Sequence, residues 1–233
     1  GMLSNNAAGS HSLKYGTMAD HVMEVELALS DGSLARFGEI DAATWRAKRQ
    51  LKTLEGEIYR TLYQVQNEWG QEILARFPCI PRRASGYNLD ALLGENKWNL
   101  ARLIAGSEGT FGIITEIKMD VSPLPGTVGL CVIHFSDVQS GMEAIPFMLS
   151  FKPIALEMID HFILEAGRTA PSMRDKLSWL HESPYMVFVA EFEGKDSADL
   201  QVKLESFQAS LKKNGIGYEY RIILDPTARS HIW

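Results

Sequence analysis

The stretch Leu103-Ile104-Ala105-Gly106-Ser107-Glu108-Gly109-Thr110-Phe111-Gly112-Ile113-Ile114-Thr115-Glu116 limits most strongly how this chain can fold. Three glycines, a serine and a carboxylate lie between two apolar runs, and the second run is β-branched. Glycine reaches positive φ without steric penalty and has no side chain to hold a ligand away from the backbone. A glycine-rich turn feeding a strand therefore suits close approach of main-chain N–H groups to a flat or phosphorylated ligand. Taken alone, the pattern fits a tight turn before a buried strand equally well.

A second loop of similar character opens the chain. Residues 3–16 are rich in Asn, Ser, Gly and Ala, with no periodicity. Asn and Ser side chains hold turns through their own hydrogen bonds, and Gly9 and Gly16 allow positive φ. Such a loop is either a connector or a backbone cradle for a phosphate-bearing ligand. Residues 22–29 then alternate, with Val22, Glu24 and Glu26 on one face and Met23, Val25, Leu27 and Leu29 on the other. Ser30-Asp31-Gly32-Ser33 turns this strand into a return over 34–37, a hairpin signal.

From Asp41 the period changes. Leu51, Leu54, Ile58, Leu62, Val65, Trp69 and Ile73 recur at steps of three and four, so 41–76 reads as a helical insert with one core-facing stripe. Gly56 and Gly70 are expected to divide it into two helices, and Phe77-Pro78 ends it. Residues 80–93 form a punctuated loop carrying Arg82, Arg83 and Tyr87. Paired arginines can grip a carboxylate bidentately, though most such pairs are solvated surface. A strand is expected over 113–121, and Pro123-Leu124-Pro125-Gly126 reads as a boundary.

Beyond that boundary the pattern predicts strands over 128–135, 154–158, 185–192 and 218–224. Helices are expected over 137–149 and 197–213, with a helical stretch over 160–177 broken at Pro171. The resulting β-α-β, β-α-β order is the split-βαβ, ferredoxin-like pattern with a helical insert between its halves. The fold class is therefore α+β, divided at 1–125 and 126–233.

Composition removes several functions. The 23 basic against 29 acidic residues leave a net charge of −6, and no basic block appears, which argues against nucleic acid. No apolar run approaches the roughly 18 residues of a membrane span. Cys79 and Cys131 are too few for a disulfide framework or a thiolate metal site, so a soluble, cytoplasmic protein is expected. His11, His21, His134, His161, His181 and His231 form no close ligand pair, so no metal is expected. No catalytic residue can be assigned from spacing. Gly1 before Met2 resembles a tag-cleavage scar, and Ser230-His231-Ile232-Trp233 stops abruptly, so both ends read as cut.

Two segments together carry a family resemblance. Asn5-Asn6-Ala7-Ala8-Gly9-Ser10-His11-Ser12-Leu13-Lys14-Tyr15-Gly16 resembles FAD-linked oxidases of the vanillyl-alcohol-oxidase/p-cresol-methylhydroxylase (PCMH) type, and so does Asn99-Leu100-Ala101-Arg102-Leu103-Ile104 running into the central stretch. The likeness is greatest to the branch with D-lactate dehydrogenase and the D subunit of glycolate oxidase. Leu54-Glu55-Gly56, Ile58-Tyr59-Arg60 and Pro81-Arg82-Arg83-Ala84-Ser85-Gly86-Tyr87-Asn88-Leu89 further resemble members fused to an iron–sulfur domain.

The resemblance implies the second subdomain of a PCMH-type FAD-binding domain over 1–125 and a partial substrate-binding cap over 126–233. It implies oxidation of a small 2-hydroxy acid such as D-lactate or glycolate, by hydride transfer to FAD, with an iron–sulfur domain or protein as electron acceptor. Carried across, Asn6, Ala8, Gly9, Ser10, Tyr15 and Gly16 would lie near the flavin or pyrophosphate. Glu108, Gly109, Gly112 and Ile113 would line the cofactor, and Arg82, Arg83 and Tyr87 are candidate substrate contacts. The family's first FAD subdomain would precede Leu3, and the cap's substrate and metal-binding histidines would follow Trp233. The stretch is therefore expected to be inactive alone. The alternative is a non-catalytic assembly or complementing half, forming a homo-oligomer or pairing with a chain that carries the missing subdomain.

Overall fold

The computed structural model describes residues 1–233 except Pro81, Ala84 and Glu95, together with all side chains of the described residues but that of Arg174. Pro81 and Ala84 fall in the loop expected over 80–93, and that part of the reading lies outside the described residues. The chain forms two compact units, Gly1–Gly9 with Tyr15–Ser122, and Ser10–Lys14 with Pro123–Trp233. The one-turn helix α1 (Ser12–Tyr15) lies where the chain crosses from the first to the second and back.

The first unit contains helix α2 (Met18–His21) and the hairpin strands β1 (Val22–Ala28) and β2 (Leu34–Asp41). Helices α3 (Ala42–Arg49) and α4 (Leu54–Arg76) follow, then strand β3 (Lys97–Asn99), helix α5 (Ala101–Ile104) and strand β4 (Ile113–Met119). The strands form one sheet in the order β3-β2-β1-β4, antiparallel throughout. The hairpin turn forms as its sequence requires. Asp31 accepts from the Ser33 N–H at 2.9 Å, and Gly32 takes a φ of 82°.

One sheet face buries Val25, Leu27 and Phe37 against Trp45, Tyr59, Leu100 and Ile104. The expected alternation along β1 holds for Val25, Leu27 and Leu29 and fails at its start, where Val22 is 2% exposed and Met23 45%. A register shift between Val22 and Glu24 is the cause, because a bulge moves the residues on one side of it to the opposite face.

The helical insert corrects a second expectation. The break falls at 50–53, where Thr53 caps α4 by accepting from the Gly56 N–H at 3.3 Å. Gly56 and Gly70 both lie inside an unbroken 23-residue helix. Gly56 is needed there for packing, since a Cβ would stand 2.1 Å from the Leu51 carbonyl oxygen. The buried face also differs from the expected stripe. Tyr59 is fully buried against Phe37 and Trp45, whereas Leu51 and Trp69 are exposed. Strand β3 and helix α5 were not foreseen, and strand β4, expected over 113–121, is a largely exposed sheet edge.

The second unit runs β5 (Thr127–Phe135), α6 (Val138–Ser150), β6 (Ala155–Asp160), α7 (His161–Thr169), β7 (Met186–Gly194), α8 (Ser197–Lys213), β8 (Glu219–Ile223) and α9 (Pro226–Ser230). Asp137, Asp160, Asp196 and Asp225 cap α6 to α9 in turn, each accepting from a backbone N–H three residues on. The strand order β6-β7-β5-β8, all antiparallel, is the ferredoxin-like arrangement, and the fold class is α+β.

Both faces of this sheet are covered, so the central strands are buried almost continuously. Cys131, Ile133, Phe188 and Phe192 pack with Leu200, Leu204, Phe207 and Leu211 of α8. Each of those helix side chains contributes about 1.5–3 kcal/mol by leaving water. Leu130, Val132, Val187 and Val189 on the opposite face meet Leu164 and Trp179 of the insert. Gly215 stops α8 at a φ of 66°, and Ile216 N–H donates back to the Leu211 carbonyl at 3.0 Å.

Candidate functional site

The opening loop is wound tightly by its own backbone. Asn6 N–H donates to Leu3 at 2.9 Å and Ala7 N–H to Met2 at 2.9 Å, and Leu3 is buried beneath them. Asn6 adopts a φ of 46°, a conformation that Asn tolerates better than most residues. Its side-chain oxygen accepts from the Ala19 N–H at 2.8 Å, satisfying an open donor at the start of α2. Gly16 takes a φ of 79° beside Asp20, which caps the same helix through the Thr17 N–H at 2.8 Å. A Cβ on Gly16 would meet the Asp20 carboxylate at 2.6 Å. Tyr15 is half-buried, and its carbonyl accepts from His21 Nε2 at 2.6 Å.

The glycine-rich turn lies directly against this loop. Gly106 N–H donates to the Leu3 carbonyl at 3.0 Å, and Glu108 N–H to the Ser4 carbonyl at 2.9 Å. Gly106, Glu108, Gly109 and Gly112 all have positive φ, at 83°, 52°, 81° and 152°. Gly106 admits the neighbouring loop closely, since a Cβ there would stand 3.3 Å from the Asn6 Cβ. Gly112 lies against the Ala28 carbonyl, where a Cβ would approach to 2.7 Å. Gly9 and Gly109 differ, with open space where a Cβ would project. Beyond the turn, Ile113 opens β4 and is 73% exposed.

Arg82, Tyr87 and Asn88 contact both motifs. Arg82 Nη2 donates to the Gly9 carbonyl at 3.0 Å. Tyr87 stacks on Phe111 with ring centroids 4.6 Å apart. The Tyr87 hydroxyl reaches Thr110 Oγ1 at 3.0 Å while Thr110 donates to the Ser107 carbonyl at 2.6 Å, which makes Tyr87 the donor. Asn88 is 8% exposed, and its amide donates to the carbonyls of Arg102 and Ala105 at 3.1 and 2.9 Å. Arg83 is committed elsewhere, paired with Asp90 at 2.6 Å and lying over the Phe77 ring at 4.6 Å.

Nine of the ten residues named for a cofactor therefore lie in the first unit, on two backbone segments in direct hydrogen-bond contact or close beside them. Ser10 belongs to the second unit. Arg82 and Tyr87 flank those segments, whereas the Arg83 charge is already neutralised by Asp90. Asn88 was missed, although a polar residue next to Tyr87 in a turn-rich loop is the kind that fastens backbone. The assembly presents exposed glycine backbone beside an aromatic pair, a surface suited to a flat ring and a charged or polar chain. Among the described residues no group of three or more His, Cys, Asp or Glu side chains could hold a metal, and no helix is long and apolar enough to cross a membrane.

No family model matches the chain. Curated relatives do. The D-2-hydroxyglutarate dehydrogenase of Escherichia coli (strain K12) is 27% identical over 217 residues, covering 91% of this chain and 21% of that protein. The probable mitochondrial D-lactate dehydrogenase of Danio rerio is 23% identical over 235 residues, covering 100% of this chain and 36% of that protein. The chain thus spans about a fifth to a third of the length of these relatives. Among solved structures, an alkyldihydroxyacetonephosphate synthase matches with a TM-score of 0.54 at 18% identity, covering 96% of this chain and 33% of that one, which shows a shared fold. These relatives, with the two glycine-rich motifs in this order, support the resemblance to the FAD-linked oxidases of the vanillyl-alcohol-oxidase/p-cresol-methylhydroxylase type.

Proposed function

We propose that the first unit is half of an FAD site, in a protein that oxidises a small 2-hydroxy acid. The observation that carries this reading is the pairing of Gly106 and Glu108 N–H groups with the Leu3 and Ser4 carbonyls, which joins the two motifs into one surface. The residues fit the cofactor: Gly9 and Gly109 leave open the space that side chains would fill, and Asn6 and Gly106 hold the loops in place. FAD supplies the acceptor for two electrons when bound, and the protein supplies position. Asn6, Ala8, Gly9, Tyr15 and Gly16 would hold it along one segment of that surface, and Glu108, Gly109, Gly112 and Ile113 along the other. Arg82 and Tyr87 flank the same surface and are the candidates for orienting substrate.

The second unit corresponds in this reading to the beginning of a substrate-binding cap. Since the chain spans about a fifth of its D-2-hydroxyglutarate dehydrogenase relatives, turnover is assigned to the longer protein and not to this stretch alone. D-lactate, glycolate and D-2-hydroxyglutarate, each offered with FAD and an artificial electron acceptor, test both parts. Turnover by the stretch alone contradicts its assigned inactivity. Absence of turnover in a protein completed with the remaining FAD subdomain and cap contradicts the activity.

The second reading, an assembly or complementing half, draws on strand β4. It is a sheet edge, with Ile113 and Ile117 73% and 41% exposed. Such edges pair with other strands unless blocked. Light scattering separates the readings: a dimer or larger species supports assembly, and a monomer at high concentration counts against it.

A further inference from the structure

Strand β4 carries a charge pattern that is complementary to itself. It pairs with β1 on one side and forms the edge of its sheet on the other. Ile117 lies opposite Val25, while Glu116 and Lys118 lie opposite Glu26 and Glu24. Ile117 therefore shares the core face with Val25, and the two charges share the open face. Val25 is fully buried, but Ile117, at the sheet edge, is 41% exposed. Arg36 gathers Glu24, Glu26 and Glu116, and among the described residues no carboxylate lies within ion-pair distance of Lys118.

A lysine on an edge strand discourages pairing when the incoming strand offers it no counter-charge. A second copy of β4 offers one. Two antiparallel β4 strands related by a two-fold axis at Ile117 set Glu116 of each opposite Lys118 of the other, and Thr115 opposite Met119. The two Ile117 side chains then meet on the core face and cover one another. Opposite charges across a strand pair stabilise it, and like charges destabilise it. An axis at Glu116 opposes two glutamates, and an axis at Lys118 opposes two lysines. Among these three central positions, only Ile117 satisfies both faces.

We infer that β4 is the contact through which two copies of this chain associate, as an antiparallel pair centred on Ile117. The assignment rests on the assembly reading of the same strand and adds its partner and its register. Sedimentation of the native chain over a range of concentrations reads association, and cysteine cross-linking reads register. Cys79→Ser first removes the exposed native thiol. In that background Ile117→Cys sets two thiols directly opposite, at a Cα separation of about 4.5–5.5 Å that a disulfide spans. Thr115→Cys sets its thiols roughly 13 Å apart along the strand, beyond that reach. The expected result is a concentration-dependent dimer in which Ile117→Cys cross-links at least tenfold faster than Thr115→Cys. Adding Lys118→Glu, an exposed position, is expected to slow the Ile117→Cys reaction at least tenfold while the circular dichroism stays unchanged. A native chain that remains monomeric at the highest concentration overturns both the assembly reading and this contact. A dimer in which the two cysteine variants cross-link equally fast, or in which Lys118→Glu changes nothing, leaves assembly standing and overturns the register.

Discussion

The side-chain amide of Asn88 donates to the carbonyl of Ala105 at 2.9 Å, fixing the backbone beside Tyr87 to the last turn before Gly106. The same amide serves Arg102 at 3.1 Å, so one buried side chain satisfies two helix-end carbonyls. Asn88→Ala leaves both unpaired and is expected to cost about 1–3 kcal/mol in urea denaturation. Asn88→Asp keeps the shape but cannot donate from its charged form, and it should destabilise as well. An unchanged midpoint in either variant would mean that the loop is held by other contacts.

Two glycines of α4 should respond to alanine in opposite directions. Gly70→Ala places its Cβ at ordinary contact, 3.8 Å from Leu93, and gains up to about 1 kcal/mol from helix propensity. Gly56→Ala meets the Leu51 carbonyl at 2.1 Å and is expected to lower stability despite the same propensity gain. Thermal denaturation of the pair reads this directly, and equal shifts would contradict the packing described around Leu51.

The same helix indicates what could be read from the chain. A period of three to four identifies a helix, but a glycine within it reads equally as a break or as a close approach, and only the Leu51 carbonyl decides between them. Tyr59 was missed for a related reason, because its burial is set by Phe37 and Trp45 from other elements. Lys97, Trp98 and Asn99 are too few to announce a strand, and they form one by pairing with Glu39, Ile40 and Asp41. The glycine motifs were legible because their chemistry is local. Their contact is not local and rests on the Leu3 and Ser4 carbonyls, which no side-chain pattern marks.

Acid should loosen the second unit through His134. Its Nε2 accepts from the His181 N–H at 3.2 Å, so Nδ1 carries the proton and donates to the Glu219 carbonyl at 3.2 Å. Burial, the largest influence, holds its pKa below the usual value of about 6.5, against weaker upward pulls from Glu219. The folded state therefore prefers neutral imidazole. This contribution is complete above the unfolded pKa and declines as pH falls from there toward the folded one. Urea titrations from pH 7.5 to 5 should show falling stability, with a shallower fall in His134→Gln. Identical slopes would remove His134 as the cause.

Arg36 bridges three carboxylates on the open face of the first sheet, Glu24 at 3.0 Å, Glu26 at 3.0 Å and Glu116 at 2.6 Å. Hydrogen bonding to Arg36, more than charge alone, holds the Glu116 carboxyl below its ordinary range. Arg36→Gln leaves the carboxylates facing one another, so it should destabilise most at low ionic strength and progressively less as salt is added. A salt-independent effect would point to packing by the arginine stem instead.

The proposed flavin surface is tested most directly by equilibrium titration of FAD into the purified chain, followed by fluorescence quenching, alongside Gly109→Val. Valine would enter the open space above the turn and adopt its positive φ only under strain. Saturable quenching by the native chain, weakened at least tenfold in a folded Gly109→Val variant, is the predicted result. Absence of saturable FAD binding, or equal binding by the two proteins, would contradict the account.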